Sequence, residues 1–234
     1  MQVATAIDVA LARTQHTQYV SALSFLDMVT RTLPADDQYP DCCFVEDCAV
    51  IANGAALITR PGAVSRRGET PAVRRALASH PLIERIEALD APATLDGGDC
   101  MHIGDRMFVG RSLRTNEAGV ARLRKMFHDL TIVEIPLAEV LHLKCVCSPL
   151  GEDRVLLARG TIPPEVFRGL DVVLIPNGES YAANCVAHAG KVILAEGYPE
   201  TRTELEQRGI ATIAIPMSEI RKADGSLTCL SLII

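Results

Sequence analysis

Cys229 follows a turn-like Asp224-Gly225-Ser226, in a chain that also carries His142 between two leucines and acidic residues at Glu46, Asp47, Asp96 and Asp99. A thiolate, not a thiol, attacks an electrophilic carbon, so Cys229 needs a neighbouring base or a positive environment. His142 can supply either. Carboxylates such as Asp47 and Asp96 can accept the several N–H donors of a planar guanidinium cation and hold its carbon in front of sulfur. The same carboxylates can orient His142, and a bound cation would itself favour the thiolate. Each residue alone has an ordinary structural explanation. A cysteine in a terminal strand packs as a small hydrophobe, and a histidine between leucines bonds to backbone in a core. Asp96-Gly97-Gly98-Asp99 reads as a loop, Glu46-Asp47 as a strand end, and Arg66, Arg67 and Arg114 as surface charge. The conjunction of these residues carries the chemistry.

The elements that must position them form a repeat of two short apolar runs joined by a turn signal, then an amphipathic helix, then another apolar strand. The first copy has runs at 43–51 and 56–60 around Asn53-Gly54, a helix over about 70–79 and a strand at 82–88. The second runs 99–103, turns at Gly104-Asp105, continues 107–109 and enters a helix over 117–128, with Val120, Leu123, Met126 and Phe127 on one face. The third sets 144–148 against 155–158 across Gly151-Glu152-Asp153, with Pro163-Pro164 opening a short helix before 172–175. The fourth pairs 184–187 with 192–195 over Gly190, then a helix near 200–208 and a strand at 211–215. A fifth copy joins the two ends, with 228–234 as its first strand and a helix from about Ala4 to Met28; its second strand has no counterpart. Hairpins begin about 40 to 57 residues apart, long enough for one supersecondary unit in a closed radial array. Glu46 and Asp47, Asp96 and Asp99, His142, Asn184 and Cys229 each fall near the start of a hairpin, so five units around one axis would bring them together.

With 234 residues, 48% hydrophobic and 22% charged, the chain suits a single α/β domain spanning 1–234. No run approaches the roughly 18 apolar residues of a membrane span, and no signal-like block opens the chain, so a cytoplasmic location is expected. A net charge of −6, four Tyr, five Phe and no Trp disfavour a nucleic-acid surface. Cys42, Cys43, Cys48, Cys100, Cys145, Cys147 and Cys185 lie mostly in apolar runs and read as reduced core thiols. The Cys145-x-Cys147 pair lacks the partners of a structural zinc site.

Seven blocks, in order, carry a resemblance: PDCCFVED (40–47), ITRPGAVSRRGE (58–69), LDGGD (95–99), FVGRSLRTN (108–116), LHLK (141–144), YAANC (181–185) and DGSLTCLSL (224–232). They closely resemble the dimethylarginine dimethylaminohydrolases, within the guanidino-modifying superfamily that also holds arginine deiminases and amidinotransferases. The resemblance implies a five-bladed, pseudo-symmetric α/β propeller. It also implies hydrolysis of an Nω-methylated arginine to citrulline and dimethylamine or methylamine, through a covalent thiouronium on Cys229. Cys229 then matches the nucleophile, His142 the proton-transfer residue and Asp96 the acid completing the catalytic set. Glu46 and Asp47 match substrate-binding acids. Asp41, Arg66 and Arg114 match holders of the amino-acid portion, with Arg66 or Arg114 a clamp for the α-carboxylate. Ala223 and Asp224 match a turn contributing a backbone contact. No metal or organic cofactor is implied, although zinc at Cys229 and His142 would inhibit. The chain begins near the helix that follows the family's first strand and substrate-covering loop. The expectation is therefore a blade lacking its N-terminal strand, weak substrate binding, and a homo-oligomer if another chain fills the open edge. The alternatives are an arginine deiminase and a catalytically silent propeller serving as a binding module.

Overall fold

Asn53 and Gly54 both adopt positive φ, 48° and 71°, as a two-residue primed hairpin turn requires. Ala189 and Gly190 do the same at 49° and 74°. These turns punctuate a computed structural model that describes residues 6–151 and 153–234. The expected helix start at Ala4 and Glu152 of the third turn lie outside the described residues.

The first helix, α1, spans Val9–Leu23. Four copies of one unit follow. The first contains β1 (Ala49–Ala52), β2 (Ala55–Ile58), α2 (Thr70–Ala78) and β3 (Arg85–Ala88). The second contains β4 (Cys100–Ile103), β5 (Arg106–Arg111), α3 (Glu117–Met126) and β6 (Thr131–Pro136). The third contains β7 (Cys147–Pro149), β8 (Arg154–Ala158), a 3-10 turn at Pro164–Phe167 and β9 (Asp171–Ile175). The fourth contains β10 (Val186–His188), β11 (Lys191–Ala195), α4 (Pro199–Gln207) and β12 (Ala211–Ile215), and α5 (Ser218–Lys222) follows it. Each copy is a three-stranded mixed sheet: the hairpin is antiparallel, and the strand after the crossover adds in parallel to the hairpin's second strand. That second strand, β2, β5, β8 or β11, is central and almost wholly buried, matching its near-continuous apolar sequence. The strand added last is an edge, and more of it is exposed.

The chain divides into two compact units. One comprises the residues up to Arg31 together with Val146–Leu227, hence α1, the last two sheets, α4 and α5. There α1 packs on α5 and β12, and its buried Gln15 is satisfied by Ser218 Oγ (2.9 Å) and the Glu219 amide (3.0 Å). The other unit comprises Thr32–Cys145 and Thr228–Ile234, hence the first two sheets, α2 and α3. Its core gathers Leu57, Leu95, Val109, Val120, Leu123 and Phe127. Asn116 starts α3 by accepting from the Gly119 amide at 2.8 Å, and it also accepts from the Thr94 amide and donates to Pro92 O.

Several boundaries differ from the sequence pattern for one reason. Where the pattern predicts the beginning of a hairpin's first strand, or just before it in the fourth copy, the backbone makes a 3-10 turn: Val45–Cys48, Gly97–Asp99, Leu143–Cys145, Ser180–Ala183 and Thr228–Leu230. Among the described residues five such turns occur, and four of them are followed by a hairpin. The predicted terminal strand at 228–234 is corrected: Thr228–Leu230 is a turn, and no strand follows among residues 231–234. All eight cysteines lie outside disulfides; Cys48, Cys100, Cys147 and Cys185 are buried as expected, but Cys43 is exposed. Among the described residues no helix is long and apolar enough to cross a membrane.

Candidate active site

Four of the five 3-10 turns belong to the unit formed by Thr32–Cys145 and Thr228–Ile234, and they carry the chemistry-bearing side chains. Val45–Cys48 presents Glu46 and Asp47; Gly97–Asp99 is flanked by Asp96 and ends in Asp99. His142 precedes Leu143–Cys145, and Thr228–Leu230 contains Cys229. The turn at 45–48 packs on those at 97–99 and 228–230, and 97–99 packs on 143–145. For the three turns that lead into β1, β4 and β7, a tight turn ahead of the strand keeps the side chains at one end of their sheets, on backbone anchored by the buried hairpin behind it.

His142 Nε2 lies 3.0 Å from Asp96 Oδ2 and 3.8 Å from Asp47 Oδ1, with all three side chains buried. Backbone fixes both carboxylates: Asp96 Oδ1 accepts from the Gly62 amide at 2.8 Å, and Asp47 Oδ1 from the Gly98 amide at 2.9 Å. Asp47 Oδ2 pairs with Arg66 Nη1. A Cβ at Gly98 would sit 2.7 Å from His142 Nδ1 and 2.8 Å from Asp47 Oδ1, so the pair closes over this position only because it has no side chain. Asp99 ties the neighbouring turn in place, accepting from Ser112 Oγ (2.5 Å), Thr115 Oγ1 (2.6 Å) and the Leu143 amide (3.1 Å).

These contacts set the protonation states. Burial alone would lower the His142 pKa, but the charges of Asp47, Asp99 and Asp96 and the Asp96 hydrogen bond outweigh it and raise it to about 9. Near neutrality His142 is therefore an imidazolium, equipped to give a proton to a departing amine. Burial pushes Asp47 up, yet His142, Arg66 and the Gly98 amide hold it below the ordinary carboxylate value. Asp99, whose burial prevails over its three donors, rises to about 6. Asp47, Asp96 and His142 also form a group that could hold a metal ion, with ligand atoms within 4.8 Å of one another.

The remaining predicted residues separate. Arg66 is buried and engaged by Asp47, by Glu69 at 2.8 Å and by Phe44 O at 2.9 Å. That corrects the reading of Arg66 as surface charge and leaves its guanidinium engaged from the protein side, where a carboxylate clamp needs an open face. Arg114 is half-buried, and no ion pair of its side chain is found among the described residues. Half-buried Asp41 offers its carbonyl to the Phe44 amide at 2.9 Å. Glu46 meets Lys144 Nζ at 2.6 Å and Thr228 Oγ1 at 2.8 Å. Ala223 and Asp224 fall in the other compact unit, where Asp224 has φ 57° and Tyr181 donates to the adjacent Gly225 O at 2.8 Å. Sequence reasoning missed Lys144 and Thr228 as partners of Glu46, and Glu69 as a partner of Arg66. Lys144 stood in plain view at the end of the LHLK block, but only the fold shows which acid it reaches.

A family model described as arginine deiminase matches residues 36–173. The N(G),N(G)-dimethylarginine dimethylaminohydrolase of Pseudomonas aeruginosa is 38% identical over 228 residues, covering 96% of this chain and 89% of that protein. The Streptomyces coelicolor protein of that name is also 38% identical, covering 96% and 86%. A solved structure of DDAH from P. aeruginosa, a cysteine-to-serine mutant complexed with citrulline, matches with a TM-score of 0.92 at 37% identity, covering 98% of this chain and 90% of that one. The N-terminal domain of ArgZ, a cyanobacterial arginine dihydrolase, matches at a TM-score of 0.88 over 97% of this chain and 86% of its own, but at 16% identity it shares the fold alone. The chain belongs to the family of the dimethylarginine dimethylaminohydrolases.

Proposed function

We propose that this protein hydrolyses an Nω-methylated arginine, asymmetric dimethylarginine or monomethylarginine, to citrulline and dimethylamine or methylamine. The observation that carries the reading is the buried His142–Asp96 pair beside Asp47, whose own turn, Val45–Cys48, packs on the turn that bears Cys229. Cys229 thiolate attacks the guanidinium carbon and forms a C–S bond. His142 gives its proton to the methylated nitrogen, the C–N bond breaks, and the amine leaves a thiouronium on sulfur. The now neutral His142 takes a proton from water as its oxygen adds to that carbon; the C–S bond then breaks and the new hydroxyl gives its proton to solvent or the freed amine, releasing citrulline and the thiolate. Asp96 orients the imidazole. Asp47 presents negative charge to the guanidinium, while Asp41, Arg114 and the backbone at Ala223 and Asp224 hold the amino-acid portion. No cofactor takes part, and zinc bound between Cys229 and His142 would inhibit. The five-bladed propeller in one 1–234 domain belongs to the same proposal; four like sheets and five like 3-10 turns support it.

Citrulline release from asymmetric dimethylarginine, monomethylarginine and arginine, supplied separately, tests the substrate. Preference for arginine would instead make the protein a deiminase, the reading that the matching family model keeps open. Acid quenching during turnover should leave a substrate fragment on Cys229, seen in the intact mass, and Cys229→Ser should abolish both signals. Unchanged turnover in that variant would sink the mechanism, and silence of the wild type would favour a binding module.

A further inference from the structure

Glu46 reads in the sequence as an acid that meets substrate, yet each of its oxygens is engaged from the protein side. Lys144 Nζ approaches Oε1 at 2.6 Å, and Thr228 Oγ1 donates to Oε2 at 2.8 Å. The carboxylate thus bridges two turns. Lys144 lies two residues beyond His142, and Thr228 immediately precedes Cys229. The bridge is largely shielded from solvent, the Lys144 and Glu46 side chains being 15% and 7% exposed. Shielding makes both the ion pair and its loss consequential, because a buried charge deprived of its partner is strongly disfavoured. We propose that Lys144 is a positioning residue: through the Glu46 carboxylate it fixes the Thr228–Leu230 turn and so places the Cys229 sulfur relative to His142. This rests on Cys229 being the nucleophile, as argued above.

The chemistry explains why such a link is needed. His142 and Cys229 lie 87 residues apart in sequence, at the turns Leu143–Cys145 and Thr228–Leu230, so local structure cannot hold them in register. Misplacement of a reacting atom by about 1 Å costs on the order of 100-fold in rate. The loss should therefore fall on the chemical step, with little effect on substrate capture.

The test compares Lys144→Met, Thr228→Val, their double variant and Thr228→Ser in the full chain. Expected is a fall in kcat of about 10- to 100-fold for each of the first two, with KM changed less than about threefold. The double variant should be hardly worse than the poorer single one, since both cut the same link. Thr228→Ser, which keeps the hydroxyl, should recover most of the loss. Independently of substrate, hydrogen exchange at the Ser231 amide, which bonds Thr228 O at 3.3 Å, should accelerate in Lys144→Met and Thr228→Val while β4 and β5 amides stay protected. A raised KM at constant kcat, fully multiplicative losses, Thr228→Ser as poor as Thr228→Val, or an unaltered Ser231 amide would each overturn the proposal. If Lys144→Met does not fold, the Thr228 pair decides alone. If the wild type makes no citrulline from any methylarginine, the preceding functional reading fails, whereas the exchange arm still tests the link.

Discussion

His142 is a cation at neutral pH because three buried carboxylates surround it, and removing one has a definite sign. Asp96→Asn deletes a negative charge and the hydrogen bond at 3.0 Å, so the imidazolium must lose its proton at lower pH than about 9. The alkaline limb of the kcat profile should move down with it, and kcat itself should drop by about 10²-fold or more. An unmoved limb would show that His142 is not the acid. Gly98 offers a separate handle. Gly98→Ala puts a methyl within 2.8 Å of His142 and Asp47, which cannot swing away like a flexible surface chain. We expect a stability loss of about 1–3 kcal/mol in urea titration, and a fall in activity larger than the lost folded fraction explains. At this scale the sequence revealed identities but not partners. Cys229, His142, Asp96 and Asp47 are legible as reagents and matched family blocks. Arg66 is not legible as a buried hub, because its partner Asp47 lies 19 residues away and is reached only through the fold.

The hairpins are legible because their turns demand special backbone: Asn53-Gly54 announces β1 and β2, and Gly190 announces β10 and β11. The 3-10 turns are not. Three or four residues give too little periodicity to separate a turn from the apolar strand it enters, so Val45–Cys48 and Thr228–Leu230 read as strand. Those misread segments carry Glu46, Asp47 and Cys229. The start of α3 illustrates how one cap can hold a whole element. Asn116 accepts from two amides and donates to Pro92 O, so Asn116→Ala should cost about 1–2 kcal/mol, the upper part of the usual range for a single cap. Thermal melting checks this; a shift within error would mean that water replaces all three bonds.

For the molecule as a whole, the site leaves a pH signature on stability. His142 has a folded pKa near 9 against an ordinary 6.5, so its contribution is complete below about 6.5 and disappears as pH rises through 9. Asp47 is held low and works the other way, stabilising above the ordinary carboxylate range and losing that effect as pH falls. Asp99, raised to about 6, gives up its share between its ordinary value and that pH. Urea midpoints should therefore decline from pH 7 to 9.5, and His142→Asn should flatten that decline. An identical alkaline slope in the variant would remove His142 as its source.

The distribution of thiols has a practical consequence for anyone handling the protein. Cys48, Cys100, Cys147 and Cys185 are buried in or beside the first strands of the four hairpins, and burial also raises the Cys185 thiol to about 12. A chromogenic thiol reagent added to native protein should register chiefly Cys229, the 42–43 pair and half-buried Cys145, and the sealed four only when the chain opens. Reagent uptake against denaturant thus becomes a label-free gauge of unfolding, calibrated by residues already in place and requiring neither tryptophan nor an engineered probe.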